Sequence, residues 1–217
     1  WQINDVWPVA SWSSTDYYQK WKALQYYVKK GFEPVLISPY TVDDKLKVDV
    51  VNDRLEEMNV ELKMKLMNFE GKVIWENASL VTVPANAVKN VFDVNRNEFL
   101  SENGNQPDQS VFICELVKDG KVLSKNNFFF KPFKELRITK PEVTYEIAKA
   151  EQGFDITLKT DKLAKNVYLQ ITDEEGFFSD NYFDLLPGET VTINLKTGIS
   201  EETLKEVLTL RTLDGAF

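Results

Sequence analysis

Carboxylates are the only abundant side chains here that can act as acid, base or nucleophile in a hydrolysis, because the chain carries 34 aspartates and glutamates, one cysteine and no histidine. Without imidazole, Ser-His-Asp and Cys-His nucleophilic sites and histidine-based zinc sites are excluded. Cys114 is the single thiol, so neither a four-cysteine zinc site nor an internal disulfide can form. Cleavage of a glycosidic bond by two carboxylates needs them about 5 Å or about 6.5–9.5 Å apart. The sequence neighbours Asp43-Asp44, Glu56-Glu57, Asp173-Glu174-Glu175 and Glu201-Glu202 fall in turns or helix starts, where solvated surface accounts for them.

Other chemistries find little purchase. Acidic turns at 173–176 and at Asp180-Asn181 offer oxygens to calcium, but no segment has the alternating ligands of an EF-hand loop. No glycine-rich phosphate loop is present. Asn77-Ala78-Ser79 has the form of a glycosylation acceptor, and Cys114 lies in an apolar run that predicts a buried, inert thiol. Neither a metal nor a cofactor is expected. The first residues are more suggestive: Trp1, Asn4, Asp5 and Trp7 combine indole faces, which stack on the C–H face of a pyranose, with groups that hydrogen-bond its hydroxyls. The competing reading is that Trp12, Trp21 and the nearby tyrosines pack a helix.

Three zones must position these groups. Residues 1–33 hold four of the five tryptophans and one amphipathic helix expected over 16–30, with cap candidates at 13–16, an apolar face of Tyr17, Trp21, Leu24 and Val28, and Gly31 after the basic pair Lys29-Lys30. Residues 34–135 switch to period two: Leu46, Val48 and Val50 alternate with Lys45, Lys47 and Asp49, and Met58 to Leu66 does likewise. Further strands are expected at 73–75, 78–83, 88–94, 111–116 and 127–130, with hairpin turns at 68–71 and 118–121. Residues 136–217 repeat the pattern at 154–158, 167–171, 191–195 and 207–213, with turns at 173–176 and 186–189. The fold class is therefore mainly β, two immunoglobulin-like sandwiches in tandem behind a short strand and a helix. A net charge of −8 argues against nucleic acid or an anionic membrane surface as partner. No apolar run approaches the ~20 residues that cross a bilayer. The sequence opens at Trp1 without a signal peptide, which reads as a start cut from something longer.

Trp1 to Ser14, followed by Trp21-Lys22-Ala23-Leu24-Gln25-Tyr26-Tyr27 and Pro34-Val35-Leu36, resembles the end of the catalytic barrel in β-mannosidases of glycoside hydrolase family 2. Phe177 to Glu189 resembles the signature of the last sandwich in that family and in the related exo-β-glucosaminidases. The resemblance implies that residues 1–33 are the last strand and helix of a (β/α)8 barrel, and that both catalytic glutamates of a retaining mechanism stand upstream. It also implies removal of terminal non-reducing β-mannose, with this piece alone inactive, and a mannose pocket lined by Trp1 and Trp7 with Asn4 and Asp5 behind them. Asn97-Glu98 resembles the acid/base pair of many retaining glycosidases but falls in a sandwich rather than on a barrel strand.

Further expectations follow. The partners implied are β-mannosides through the parent enzyme and the upstream barrel in cis. The helix's apolar stripe is expected to bury on the first sandwich, pair in a homodimer or stay exposed. A bacterial glycan-degrading enzyme would favour a periplasmic or secreted setting. An exo-β-glucosaminidase and a carbohydrate-binding sandwich are the alternatives, the second needing an aromatic platform from Trp75 or Phe128 to Phe130.

Overall fold

The computed structural model describes residues 2–104 and 106–216. It divides into two compact units, one of residues 32–138 and the other joining residues 1–31 to residues 139–217. The N-terminal segment therefore belongs with the second sandwich.

The first unit is a sandwich of two antiparallel sheets. Strands β1 (Val35–Val42), β2 (Lys45–Asn52) and β5 (Ala87–Asn95) form one, and β4 (Val73–Val83), β3 (Met58–Asn68), β6 (Ser110–Lys118) and β7 (Lys121–Phe129) form the other in that order. The alternation in sequence becomes the inner faces: Leu46, Val48 and Val50 meet Leu62, Leu66, Phe112 and Leu116, all fully buried. Asp119 and Gly120 adopt φ of 51° and 75°, the left-handed pair that a two-residue hairpin between β6 and β7 requires.

Two features depart from the sequence pattern, both for reasons of edge position. The runs at 73–75 and 78–83 are one strand, because β4 is an edge and its polar Glu76 and Asn77 face water while pairing continues with Lys65 and Met64. Strand β1 contains Pro39, tolerated because β1 is also an edge. Its outward backbone is served by side chains of β7: Ile37 N donates to Ser124 Oγ at 3.0 Å, and Asn126 Nδ2 donates to Ile37 O at 3.2 Å. A short helix, α2 (Arg96–Glu102), is capped by the Asn95 side chain, which accepts from Asn97 N and Glu98 N.

In the second unit, β11 (Phe177–Phe178), β13 (Val191–Lys196), β9 (Gly153–Thr160) and β8 (Val143–Ala150) form one sheet, and β12 (Phe183–Leu185), β10 (Ala164–Ile171) and β14 (Leu208–Arg211) the other. Their core includes Ile156, Leu158, Val167, Leu169, Leu185 and Leu195. Helix α3 (Glu201–Val207), capped by Ser200, precedes the last strand and shortens it from the expected 207–213.

Helix α1 spans Ala23–Gly31, shorter than the expected 16–30. The cap candidates are engaged elsewhere: Ser14 Oγ and Thr15 Oγ1 donate to Ile3 O, and Asp16 Oδ1 accepts from Lys20 N across a turn in which Gln19 has φ of 63°. Tyr17 is left exposed and outside the helix, so the four-residue stripe from Tyr17 to Val28 does not form as one face.

Candidate functional site

Around Asp5, residues 2–22 close on themselves. Isolated bridges join Asn4 to Thr15 and Thr15 to Trp21, with Thr15 N donating to Ile3 O at 2.8 Å and Lys22 N to Ser14 O at 3.0 Å. This three-way clasp of single bridges stands where a short strand is expected. Asp5 is enclosed at its centre. One carboxylate oxygen accepts from Lys22 Nζ at 2.9 Å, and the other accepts from Ser11 Oγ and from Gln2 Nε2. Lys22 Nζ also donates to Ser13 Oγ at 2.7 Å, and Ser13 is itself buried. The Lys22 ammonium and the Ser11 hydroxyl hold the Asp5 carboxyl well below the usual carboxylate range, so it is ionised throughout the physiological span.

The residues flanking this centre point outward. Trp7 and Trp12 expose 71% and 77% of their surface, and Ile3, Val6 and Val9 are exposed with them. Of the residues predicted to meet sugar, Trp7 and Asn4 are presented to solvent, and Trp1 lies outside the described residues. Asp5 instead faces inward, its oxygens held by protein donors. Trp12, Tyr17 and Tyr18, expected to pack a helix, are exposed.

Below the clasp, α1 docks on the second sandwich, while Tyr17 and Leu24 of its expected apolar stripe stay exposed. Tyr26 is buried and donates to Phe178 O at 3.4 Å, while Tyr27 Oη donates to Tyr182 O at 2.9 Å. Lys29 Nζ reaches Ser179 O at 3.1 Å, and Lys30 pairs with Asp180 at 2.7 Å. Trp21 packs edge-on against both Tyr26 and Phe177, and Tyr26 leads through Tyr182 to a stacked Tyr168. Burial, reinforced by the Asp180 carboxylate, pushes the Tyr26 phenol up to about 12.

The docking segment is itself rigidly held. Asn181 accepts from Leu169 N and donates to Leu169 O, both at 2.8 Å, so its amide continues the pairing of β12 along β10. Lys165 and Asp184 form a buried ion pair at 2.7 Å, and the same carboxylate oxygen accepts from Asn166 N. The signature 177–189 is thus a cradle for α1 on its first half and a strand of the sandwich on its second. No sequence signal joins Asp5 to Lys22, which are 17 positions apart; nor does any join Tyr26 to Phe178.

Elsewhere, Trp75 packs with Phe92, Phe99 and Phe112, and Phe128 and Phe130 pack on the same core, so these rings form no exposed platform. Asn97 and Glu98 begin α2 on the surface. Among the described residues, no three acidic or thiol side chains are grouped to hold a metal ion.

Comparison with known proteins places both sandwiches. Residues 44–135 match the Mannosidase Ig/CBM-like domain and residues 138–216 match an Ig-fold domain family of the mannosidases. A β-D-mannosidase from Dictyoglomus thermophilum superposes with a TM-score of 0.85 at 27% identity, over 98% of this chain and 26% of that one. The chain belongs to the β-mannosidases of glycoside hydrolase family 2. Among curated β-mannosidases, Beta-mannosidase A of Aspergillus terreus is 27% identical over 87% of the chain, and the mouse enzyme 28% identical over 84%. The chain spans only 22% and 21% of their respective lengths, so it corresponds to about a fifth of such a β-mannosidase. An exo-chitosanase of Amycolatopsis orientalis shares the fold, with a TM-score of 0.69 at 20% identity.

Proposed function

We propose that this chain is the C-terminal accessory region of a retaining β-mannosidase whose two catalytic carboxylates belong to the rest of the enzyme. In this reading the parent removes terminal non-reducing β-mannose through a covalent glycosyl-enzyme intermediate. Trp7 faces the sugar together with Trp1 and Asn4, the catalytic barrel is the partner in cis, and the sandwiches are scaffold. The observation that supports it most is the exposed Trp7 beside an enclosed, ionised Asp5, an indole presented to solvent on a built foundation.

The test compares the whole enzyme with this chain on aryl β-mannoside and aryl β-glucosaminide. The expected result is turnover of the mannoside by the whole enzyme and none by the chain above a heat-killed control. Turnover by the chain alone would refute the division of labour, and preference for the glucosaminide would refute the substrate.

A further inference from the structure

Asp5 is a carboxylate with no solvent exposure of its side chain, in a segment otherwise rich in exposed apolar groups. A buried charge persists only where its partners compensate it, and here they come from both sides of the Trp7 loop. Gln2 lies before the loop; Ser11 and Ser13 lie after it; Lys22 comes from the residue preceding α1. Ser13 N also donates to Ser11 Oγ at 3.0 Å, and Lys22 Nζ touches Ser11 O at 3.3 Å. The loop from Val6 to Ala10 is thus tied at its two ends to one carboxylate while its side chains contribute nothing to the tie. Val9 N donating to Trp7 O at 2.8 Å is the loop's own internal turn.

We propose that Asp5, through Lys22 and Ser11, is a positioning residue that presets the Trp7 loop for the sugar, so that binding energy is not lost in ordering the loop. The proposal rests on the reading of Trp7 as a sugar-facing residue. A loop held in its bound form loses less conformational freedom on binding, and the gain falls on affinity. The foundation is anchored in turn, because Trp21, next to Lys22, packs on Phe177 of the second sandwich.

The experiment is steady-state kinetics on aryl β-mannoside in the whole enzyme, for Trp7→Ala, Asp5→Asn, Lys22→Met and Lys22→Arg. We expect Asp5→Asn and Lys22→Met to raise KM about tenfold with kcat within about twofold, and Lys22→Arg, which keeps the charge, to restore most of the loss. A merely structural role would lower melting temperature and the active fraction, which moves kcat and leaves KM in place. If Trp7→Ala raises KM while Asp5→Asn and Lys22→Met do not, positioning is refuted and the sugar reading stands. Unchanged KM in Trp7→Ala refutes the reading itself. Should Asp5→Asn fail to fold, Ser11→Ala removes one donor from an exposed position and is expected to raise KM about threefold; an unchanged KM there overturns the proposal.

Discussion

Replacing Asn181 by alanine removes the side chain that stands in for a strand residue, and the cost can be worked from its bonds. The carboxamide is buried, accepts from Leu169 N and donates to Leu169 O, both at 2.8 Å, and accepts from Tyr182 N as a third partner at 3.1 Å. Alanine leaves two buried backbone groups of β10 unpaired, each costing about 1–3 kcal/mol, so the loss is about 4 kcal/mol. At roughly 4 °C per kcal/mol for a domain of this size, the melting transition of the second sandwich falls by about 16 °C. Asn181→Asp keeps the acceptor but sets a carboxylate against Leu169 O, and is expected to lose as much. Lys30→Ala serves as control: its pair with Asp180 is partly exposed on both sides, and exposed pairs contribute less than about 1 kcal/mol. Calorimetry on the chain measures all three. If Asn181→Ala costs no more than Lys30→Ala, the side-chain strand is not what holds the cradle.

Lys165→Met leaves the Asp184 carboxylate buried without its cation at 2.7 Å and should cost about 3–5 kcal/mol in urea denaturation, with Asp184→Asn the milder change. Gly153→Ala places a methyl 2.0 Å from Leu195 O at φ of +108°, so a loss of at least about 2 kcal/mol is expected from the backbone alone, read as a lower urea midpoint. Tyr26 and Tyr27 have phenols raised to about 12, chiefly by burial, so the folded state holds their protons more tightly than the unfolded chain. Stability should be level below about pH 10 and fall as pH rises from there towards 12, and a Tyr26→Phe, Tyr27→Phe double variant should flatten that fall. Cys114 is buried and its thiol is raised by that burial, so a chromogenic disulfide reagent should label it only at the rate of unfolding.

The parts of the fold legible in sequence are those where one residue's neighbours along the chain determine its environment. Leu46, Val48 and Val50 alternate because β2 has one wet face, and Asp119-Gly120 announces its hairpin because few other residues accept two left-handed conformations. Strand β1 carries Pro39, whose tolerance depends on being at an edge, a property of the sheet and not of the segment. Helix α1 was overextended because Ser13 to Asp16 look like caps until the backbone of Ile3, 11 and 12 residues away, is seen to claim Ser14 and Thr15. The family was legible through two local signatures. The enclosure of Asp5 is not legible, since no sequence signal brings Lys22 to it from 17 positions away.

That leaves the question of why those two signatures, about 150 residues apart, travel together in one chain. Tyr26, Tyr27, Lys29 and Lys30 all lie in α1, and every one of them sends its polar end to the segment 178–182. Three of the four acceptors are backbone carbonyls, so what this stretch supplies is a backbone path more than a set of side chains. The path is unusual: Tyr182 has φ of 57°, and Asn181 N and Tyr182 N are both satisfied by side chains of residues 180 and 181. A non-glycine residue stays left-handed only where its surroundings over-determine it, and Asn181 on Leu169 with Lys165 on Asp184 provide that constraint from within the sandwich. The second signature is therefore written by two demands at once, to close the sheet at β12 and to present carbonyls to a helix. Relaxing either would release α1 and, through Trp21 and Lys22, the clasp around Asp5 that carries the exposed tryptophan.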